Sequence, residues 1–468
     1  MKHSRSVIVA LISTVAVSCT AVPTPAPANP DDSATAVPLT TTTAVAAVNS
    51  RGLPFPPAPD APNGPFDDDT AGLIDQIWSG LPDFVDAESI RRLGETDDIR
   101  VAWIIADLLR FAGSGEILRA AIEALAPLTG VQFNGVATWV SLTDHLIAWD
   151  TPGPPGYLEY KRRLFTVVDE RWEFVFAEPN VMDMRHLSWG GVLIDDRPLG
   201  DPNPCPRGCI PALDDPAVTD VAGGAWYPDD AIVFGVVIGG EARAYPKNIM
   251  EIHEMVNDTL GGRRFAMPYC TLCASAQVFF TDDLAGFAPV LRTSGLLSRS
   301  NKVMYDLETR SVFDTFTGAA VTGPLLEAGV VLEQAGVVTS PWGEWKAAHP
   351  DTTIVAADGG IGRTYDLDPL RGRDDNGPIF PIGDRDLRLG VQEQVLGVVA
   401  PDGTAIAFPV RAAQNALANG EVVSLAGVEV VMDGGGVRAL AEGVPIGSHQ
   451  AFWFAWSQFH PDTLLWEG

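Results

Sequence analysis

Positive charge is scarce in this chain. Lysine and arginine total 31 against 60 aspartates and glutamates, a formal net charge of −29. No basic surface is available to displace phosphate counterions, so nucleic-acid binding is excluded. Acidity of this order favours solubility, or life outside a cell. Several catalytic signatures are missing as well. No glycine-rich phosphate loop or dinucleotide fingerprint follows a strand and opens a helix, and Gly359-Gly360 and Gly434-Gly435-Gly436 read as ordinary loop glycines. His253-Glu254 is followed by Asn257 where a zinc protease carries its second histidine. Cysteine is sparse too, with five in 468 residues.

The start of the chain carries a targeting pattern. Lys2 and Arg5 precede an apolar run, Val7 to Val17, that is too short to span a bilayer. Ala16-Val17-Ser18 then leads into Cys19, as at a bacterial lipoprotein processing site. Residues 1–19 are therefore expected to be a lipoprotein-type signal, with Cys19 lipidated and the mature protein anchored to the cell membrane on its extracytoplasmic side. Ordinary secretion is the alternative. Residues 20–69 are rich in Ala, Pro and Thr and read as a disordered tether, because such a stretch buries too little apolar surface to offset its chain entropy. Residues 70–199 read as a helical and mixed region. DDIRVAWIIADLLRFAG and GEILRAAIEALAPLTG show apolar residues at helical spacing, each closed by glycine. His145 and His186, in the aromatic-rich part of this region, read as packed or surface histidines.

An internal repeat organises the rest. FGVVIGGEARAYP (Phe234 to Pro246) matches LGVVAPDGTAIAFP (Leu396 to Pro409). Trp342-x2-Trp345-x3-His349-Pro350-Asp351-Thr352 matches Trp453-x2-Trp456-x3-His460-Pro461-Asp462-Thr463 in spacing. The fold expected is α+β: an N-terminal helical region, then two related β-rich units at 200–385 and 386–468, the second shortened. The second unit has no counterpart of His253-Glu254, of Cys270-x2-Cys273 or of Ser294 to Ser311, so the first unit is expected to carry the site. His349 and His460 recur where the cysteines do not, and read as braces for the Trp helices.

The densest polar chemistry lies between Ala244 and Phe279. Tyr245-Pro246 is expected to close a strand and open a helix. Ile249, Ile252, Val256 and Leu260 recur at helical spacing, which extends that helix to the Gly261-Gly262 stop and places His253 and Asn257 on nearly one face. Arg263 to Tyr269 then reads as a returning strand that delivers Cys270 and Cys273 in a tight loop.

This stretch resembles the signature of an uncharacterised bacterial and archaeal domain-of-unknown-function family: His-Glu-(Ile/Met)-Val-Asn-Asp, Gly-Gly, then Tyr-Cys-x-Leu-Cys. Here these are His253 to Asp258, Gly261-Gly262 and Tyr269 to Cys273. Ser294 to Ser311 and Phe316 to Leu325 are similar to the same family, so the resemblance spans roughly residues 190–468. Thr271 and Ala274 stand where the family has Pro and Gly. The resemblance implies no established activity.

The chemistry has several readings. Cys205, Cys209, Cys270 and Cys273 are an even set that suits structural disulfides outside the cytoplasm. Alternatively, Cys270, Cys273 and His253, completed by Cys205 and Cys209, would hold a thiolate-bound metal, zinc or copper. A third reading is thiol–disulfide redox chemistry at Cys270 and Cys273. A fourth is catalysis by His253 as base, with Glu254, Asn257 and Tyr305 as partners. The reading adopted is a membrane-anchored protein that binds a metal ion or small ligand in a His/Cys-lined cleft. The redox protein and the purely structural or interaction protein are its alternatives, and the assignment as an enzyme is left open.

Overall fold

Apolar residues at helical spacing build the first layer. Nearly every residue of the Val101–Ala112 helix is buried. The Gly115–Thr129 helix stops at Gly130, whose φ of 67° is the left-handed cap that glycine adopts freely. Asp67 and Asp86 start their helices, Asp68–Gly80 and Ala87–Leu93, by accepting backbone N–H bonds from Thr70 and Glu88. The helical layer runs on through Thr138–Ala148 and Tyr157–Val168. It packs on an antiparallel sheet ordered Leu187–Trp189, Leu291–Ser298, Asn301–Asp306, Val312–Asp314, through a core that includes Trp103, Trp172 and Val303. The fold is α+β, as its sequence implies.

The computed structural model describes residues 47–81, 83–282, 284, 286–373 and 376–468. The expected signal segment 1–19 with Cys19, and residues 20–46 of the expected tether, lie outside the described residues. The tether reading is corrected at its near end. Val48 and Pro54 bridge, Arg385 donates its backbone N–H to the Val48 carbonyl, and the Trp149 indole donates to the Pro56 carbonyl at 2.7 Å. Proline-rich backbone keeps its carbonyls free, and here the body supplies donors to them. No helix among the described residues is long and apolar enough to cross a membrane.

The two repeat units share one topology. In the first, Ile232–Ile238 pairs antiparallel with Glu241–Pro246 and with Val337–Pro341, and Thr353–Val355 lies parallel to Glu241–Pro246. In the second, Gln394–Val399 pairs with Ala405–Pro409 and Ser448–Phe452, and Leu464–Leu465 is parallel to Ala405–Pro409. The repeated Trp motif has a packing cause. A Cβ at Gly235 would sit 2.4 Å from the Trp345 ring, and one at Gly397 would sit 2.1 Å from the Trp456 ring. Trp345 donates to Thr352 Oγ1 at 3.0 Å, and Trp456 to Thr463 Oγ1 at 2.9 Å. His349 and His460 lie against these indoles at ring separations of 4.0 and 4.2 Å. Glycine, tryptophan, histidine and threonine thus form one interlocked unit, present twice.

The helix expected through Leu260 is shorter. It spans Lys247–His253, and Glu254 turns into the left-handed region at φ 50°. Met255–Leu260 is a strand paired antiparallel with Arg263–Cys270. Gly261 and Gly262, at φ 56° and 77°, are the two-residue turn of that hairpin, not a helix cap. Strand pairing outweighed a periodicity that Val256 and Leu260 satisfy equally well as buried strand positions. Asn257 therefore does not share a helical face with His253.

Candidate functional site

The signature residues grip one segment. Residues 195–214 carry the Cys205–Cys209 disulfide and end in the short strand Leu213–Asp214, which lies parallel to Met255–Leu260. His253 is 1% exposed, and its Nδ1 lies 2.7 Å from the Pro211 carbonyl. A carbonyl only accepts, so Nδ1 carries the proton and Nε2 accepts from the Tyr365 hydroxyl at 2.7 Å. Burial, with Arg363 and Arg197 nearby, pushes His253 down to about 4, so the ring is neutral. Asn257 donates to Asp214 Oδ1 at 2.9 Å and exchanges hydrogen bonds with the Leu291 backbone. The Tyr305 hydroxyl donates to the Asp195 carbonyl at 2.6 Å, and burial raises its pKa. Thr293 donates to the Ile210 carbonyl at 2.9 Å.

Arg292 and Asp214 anchor the same segment from beneath. Both guanidinium ends reach the carboxylate, Nη1 to Oδ1 at 2.8 Å and Nη2 to Oδ2 at 2.7 Å, with the arginine fully buried. Such a bidentate pair fixes orientation as well as charge. Arg197 is likewise spent on structure: it holds Asp195 and the Asp201, Asn203 and Ala212 carbonyls.

Above these clamps the segment leaves a cleft of about 340 Å³, lined by Arg197, Asp201, Asn203, Asp214, His253 and Arg363, among others. Arg363 lies over the Tyr365 ring at 5.6 Å. Burial lifts Tyr365 to about 12, so its hydroxyl stays protonated and bonded to His253.

The cysteines divide differently from the metal reading. Cys205 and Cys209 are bonded to each other, while Cys270 and Cys273 are free and buried. Among the described residues, the one group of three or more candidate metal ligands within reach of one another is Asp195, Cys205 and Cys209. A disulfide offers no thiolate, so that group could take a metal only once reduced. The five-residue set of Cys270, Cys273, His253, Cys205 and Cys209 is not assembled among the described residues: Cys205 and Cys209 are spent on each other, and His253 and the thiol pair join no common group.

Cys270 ends its strand, and Thr271–Cys273 is a single 3₁₀ turn closed by Ala274 at φ 50°. Both sulfurs approach the Ser300 carbonyl, at 3.7 Å from Cys270 and 3.4 Å from Cys273. Phe316 from the first unit and Trp453 and Trp456 from the second pack around them. Lys302 sits between the two sites. Its ammonium reaches Glu254 Oε2 at 3.1 Å and the Tyr269 carbonyl at 3.4 Å, and also bonds the Glu254 carbonyl. Thr271 donates to the other Glu254 oxygen at 3.3 Å.

Of the four catalytic candidates, Asn257 and Tyr305 are buried clamps, His253 is committed at both nitrogens, and Glu254 is the ion-pair partner of Lys302. Arg292, Asp214, Lys302 and Tyr365 were not found from the sequence. A charged residue inside a strand reads as a solvent-facing position, and His253 and Tyr365 are 112 residues apart.

Residues 207–443, just over half of the chain, match the family described as "Protein of unknown function (DUF3179)", and the chain belongs to it. No curated protein and no solved structure matches the chain.

Proposed function

We propose that this DUF3179 protein is an extracytoplasmic, lipid-anchored binding protein that takes a small polar ligand with an anionic group in the cleft over His253. The observation that carries the reading is the cleft itself. Its volume, about 340 Å³, is that of a small-molecule site. Its walls are tied down by clamps from one helix and three strands and by a disulfide, so the space is held open before any ligand arrives, and a preformed site loses little entropy on binding. Arg363, exposed and in the lining, supplies the donors. A small ligand is favoured over a metal ion because the cleft offers His253 with both nitrogens bonded and no free thiol.

The test is calorimetric titration of the full chain with inorganic phosphate and with citrate, for the wild type and Arg363→Ala. Saturable binding that weakens about tenfold or more in the variant supports the reading, since a charge-assisted hydrogen bond contributes about 1.5–3 kcal/mol. Equal binding by Arg363→Ala, or none by the wild type, sinks it. Anchoring is checked by fractionation: the wild type belongs in the membrane fraction and Cys19→Ala outside it.

A further inference from the structure

We infer that Cys270 and Cys273 form a reversible dithiol–disulfide centre that exchanges with small-molecule disulfides. The inference is independent of the cleft over His253.

Three observations converge. The first is placement. One 3₁₀ turn brings both sulfurs to a single acceptor, the Ser300 carbonyl, at 3.7 Å from Cys270 and 3.4 Å from Cys273. No third sulfur, imidazole or carboxylate joins them within ligand reach among the described residues. A tetrahedral metal lacks half its ligands here, whereas a disulfide needs only these two atoms.

The second is asymmetry. Burial acts to raise both thiols. At Cys270 it is outweighed by the bond from Cys273 and by Lys302, which leave this thiol below its usual range. At Cys273 burial and the neighbouring Cys270 act together and push it well up. Cys270 is therefore the thiol that gives up its proton more readily and Cys273 the one that keeps it, the division of labour that exchange requires. Glu254 limits the effect of Lys302, and the ammonium still donates toward the strand end that carries Cys270.

The third is access. The sulfurs are buried, but Thr271, Leu272 and Ala274 are only half-buried, so the loop's outer edge meets solvent. A tripeptide-sized disulfide needs movement of this one turn. The second unit has no cysteines of its own, yet its Gln458 accepts from the Ser300 hydroxyl at 3.3 Å and its Trp456 packs around the pair.

The chemistry balances with a disulfide RSSR as oxidant. The Cys270 thiolate attacks one sulfur of RSSR, forming Cys270–S–S–R and expelling RS⁻. The Cys273 thiol gives its proton to that RS⁻ and attacks the Cys270 sulfur. The intramolecular disulfide forms and the second RS⁻ leaves and is protonated by solvent. Two cysteines are oxidised and RSSR is reduced to two thiols.

The full chain is equilibrated in glutathione buffers of graded redox ratio. The peptide carrying both cysteines is read by mass spectrometry after acid quench and alkylation, with near-ultraviolet circular dichroism on the same samples. Loss of both thiols to a disulfide, recovery on adding reduced glutathione and an unchanged dichroism spectrum are expected. Cys273→Ser should accumulate the Cys270–glutathione mixed disulfide, and in Cys270→Ser the remaining Cys273 should stay largely unmodified. Lys302→Met should slow Cys270 alkylation at neutral pH, roughly tenfold for each unit its pKa rises. Thiols that stay reduced in excess oxidised glutathione, or oxidise only as the dichroism signal is lost, would overturn the inference. So would stoichiometric capture of Cu(I) or Zn²⁺ that protects both thiols from exchange.

Discussion

The Tyr365 hydroxyl and His253 Nε2 stand 2.7 Å apart, and this bond ties the end of the short helix to the loop that carries Arg363. With Nδ1 given to the Pro211 carbonyl, the imidazole is a neutral cross-brace between the disulfide segment and the loop that carries Arg363. A histidine used in this way positions a site without having to act as its base.

The brace has a pH consequence. His253 sits at about 4 in the folded chain against an ordinary value of 6.5, chiefly through burial. His449, also lowered by burial, sits at about 3. Between these values and 6.5 the unfolded chain binds more protons than the folded one, so stability is complete above 6.5 and lost as pH falls toward 4 and 3. Urea midpoints measured from pH 7 to pH 4 should fall. His449→Gln should flatten the decline by up to about 1.4 kcal/mol per pH unit. A midpoint that is constant over this range would contradict the assignment.

Asp214→Ala takes the bidentate carboxylate from the fully buried Arg292 and leaves it Asp195, 3.8 Å from its Nε. Removing one partner of a buried pair costs about 3–5 kcal/mol. Denaturant melts should show a loss of that size, with a smaller loss in the paired replacement Asp214→Leu with Arg292→Met. Equal losses in both would mean that packing, rather than uncompensated charge, sets the cost.

Gly235→Ala and Gly397→Ala each push a methyl into an indole ring. Overpacking of this kind costs about 1–3 kcal/mol. Thermal denaturation of the two variants should show comparable losses, because the same interlock is present in both units.

Ala274 occupies a left-handed conformation at φ 50°. Ala274→Gly should stabilise the chain by about 0.5–1 kcal/mol, the relief of the Cβ clash less the entropy that glycine adds to the unfolded state. The denaturant midpoint should rise, and a fall would mean that the Ala274 methyl contributes packing that exceeds the strain.

Legibility followed interaction range. The Trp-x2-Trp-x3-His-Pro-Asp-Thr repeat was readable because indole, histidine and threonine lie within a dozen residues and fix each other's spacing. The helices at Val101–Ala112 and Gly115–Thr129 were readable from apolar period and their closing glycines. Met255–Leu260 was not, since its apolar residues fit a helix or a buried strand, and only pairing with Arg263–Cys270 decides between them. The Gly261-Gly262 step fits either a helix cap or a hairpin turn for the same reason.

The sequence by itself determined the acid balance, the helical layer, the duplicated sheet unit and the place of the His253 and Cys270–Cys273 motifs in the first copy. These follow from composition and short-range periodicity. Tertiary structure alone decided which cysteines are joined, that Asn257 and Tyr305 are clamps, and that His253 belongs to one site and the thiol pair to another. Those outcomes depend on Asp214 meeting Arg292, Tyr365 meeting His253 and Ser300 meeting both thiols. Each contact closes a loop of chain whose two ends carry no local mark of one another, and burial of the shared surface is what selects it.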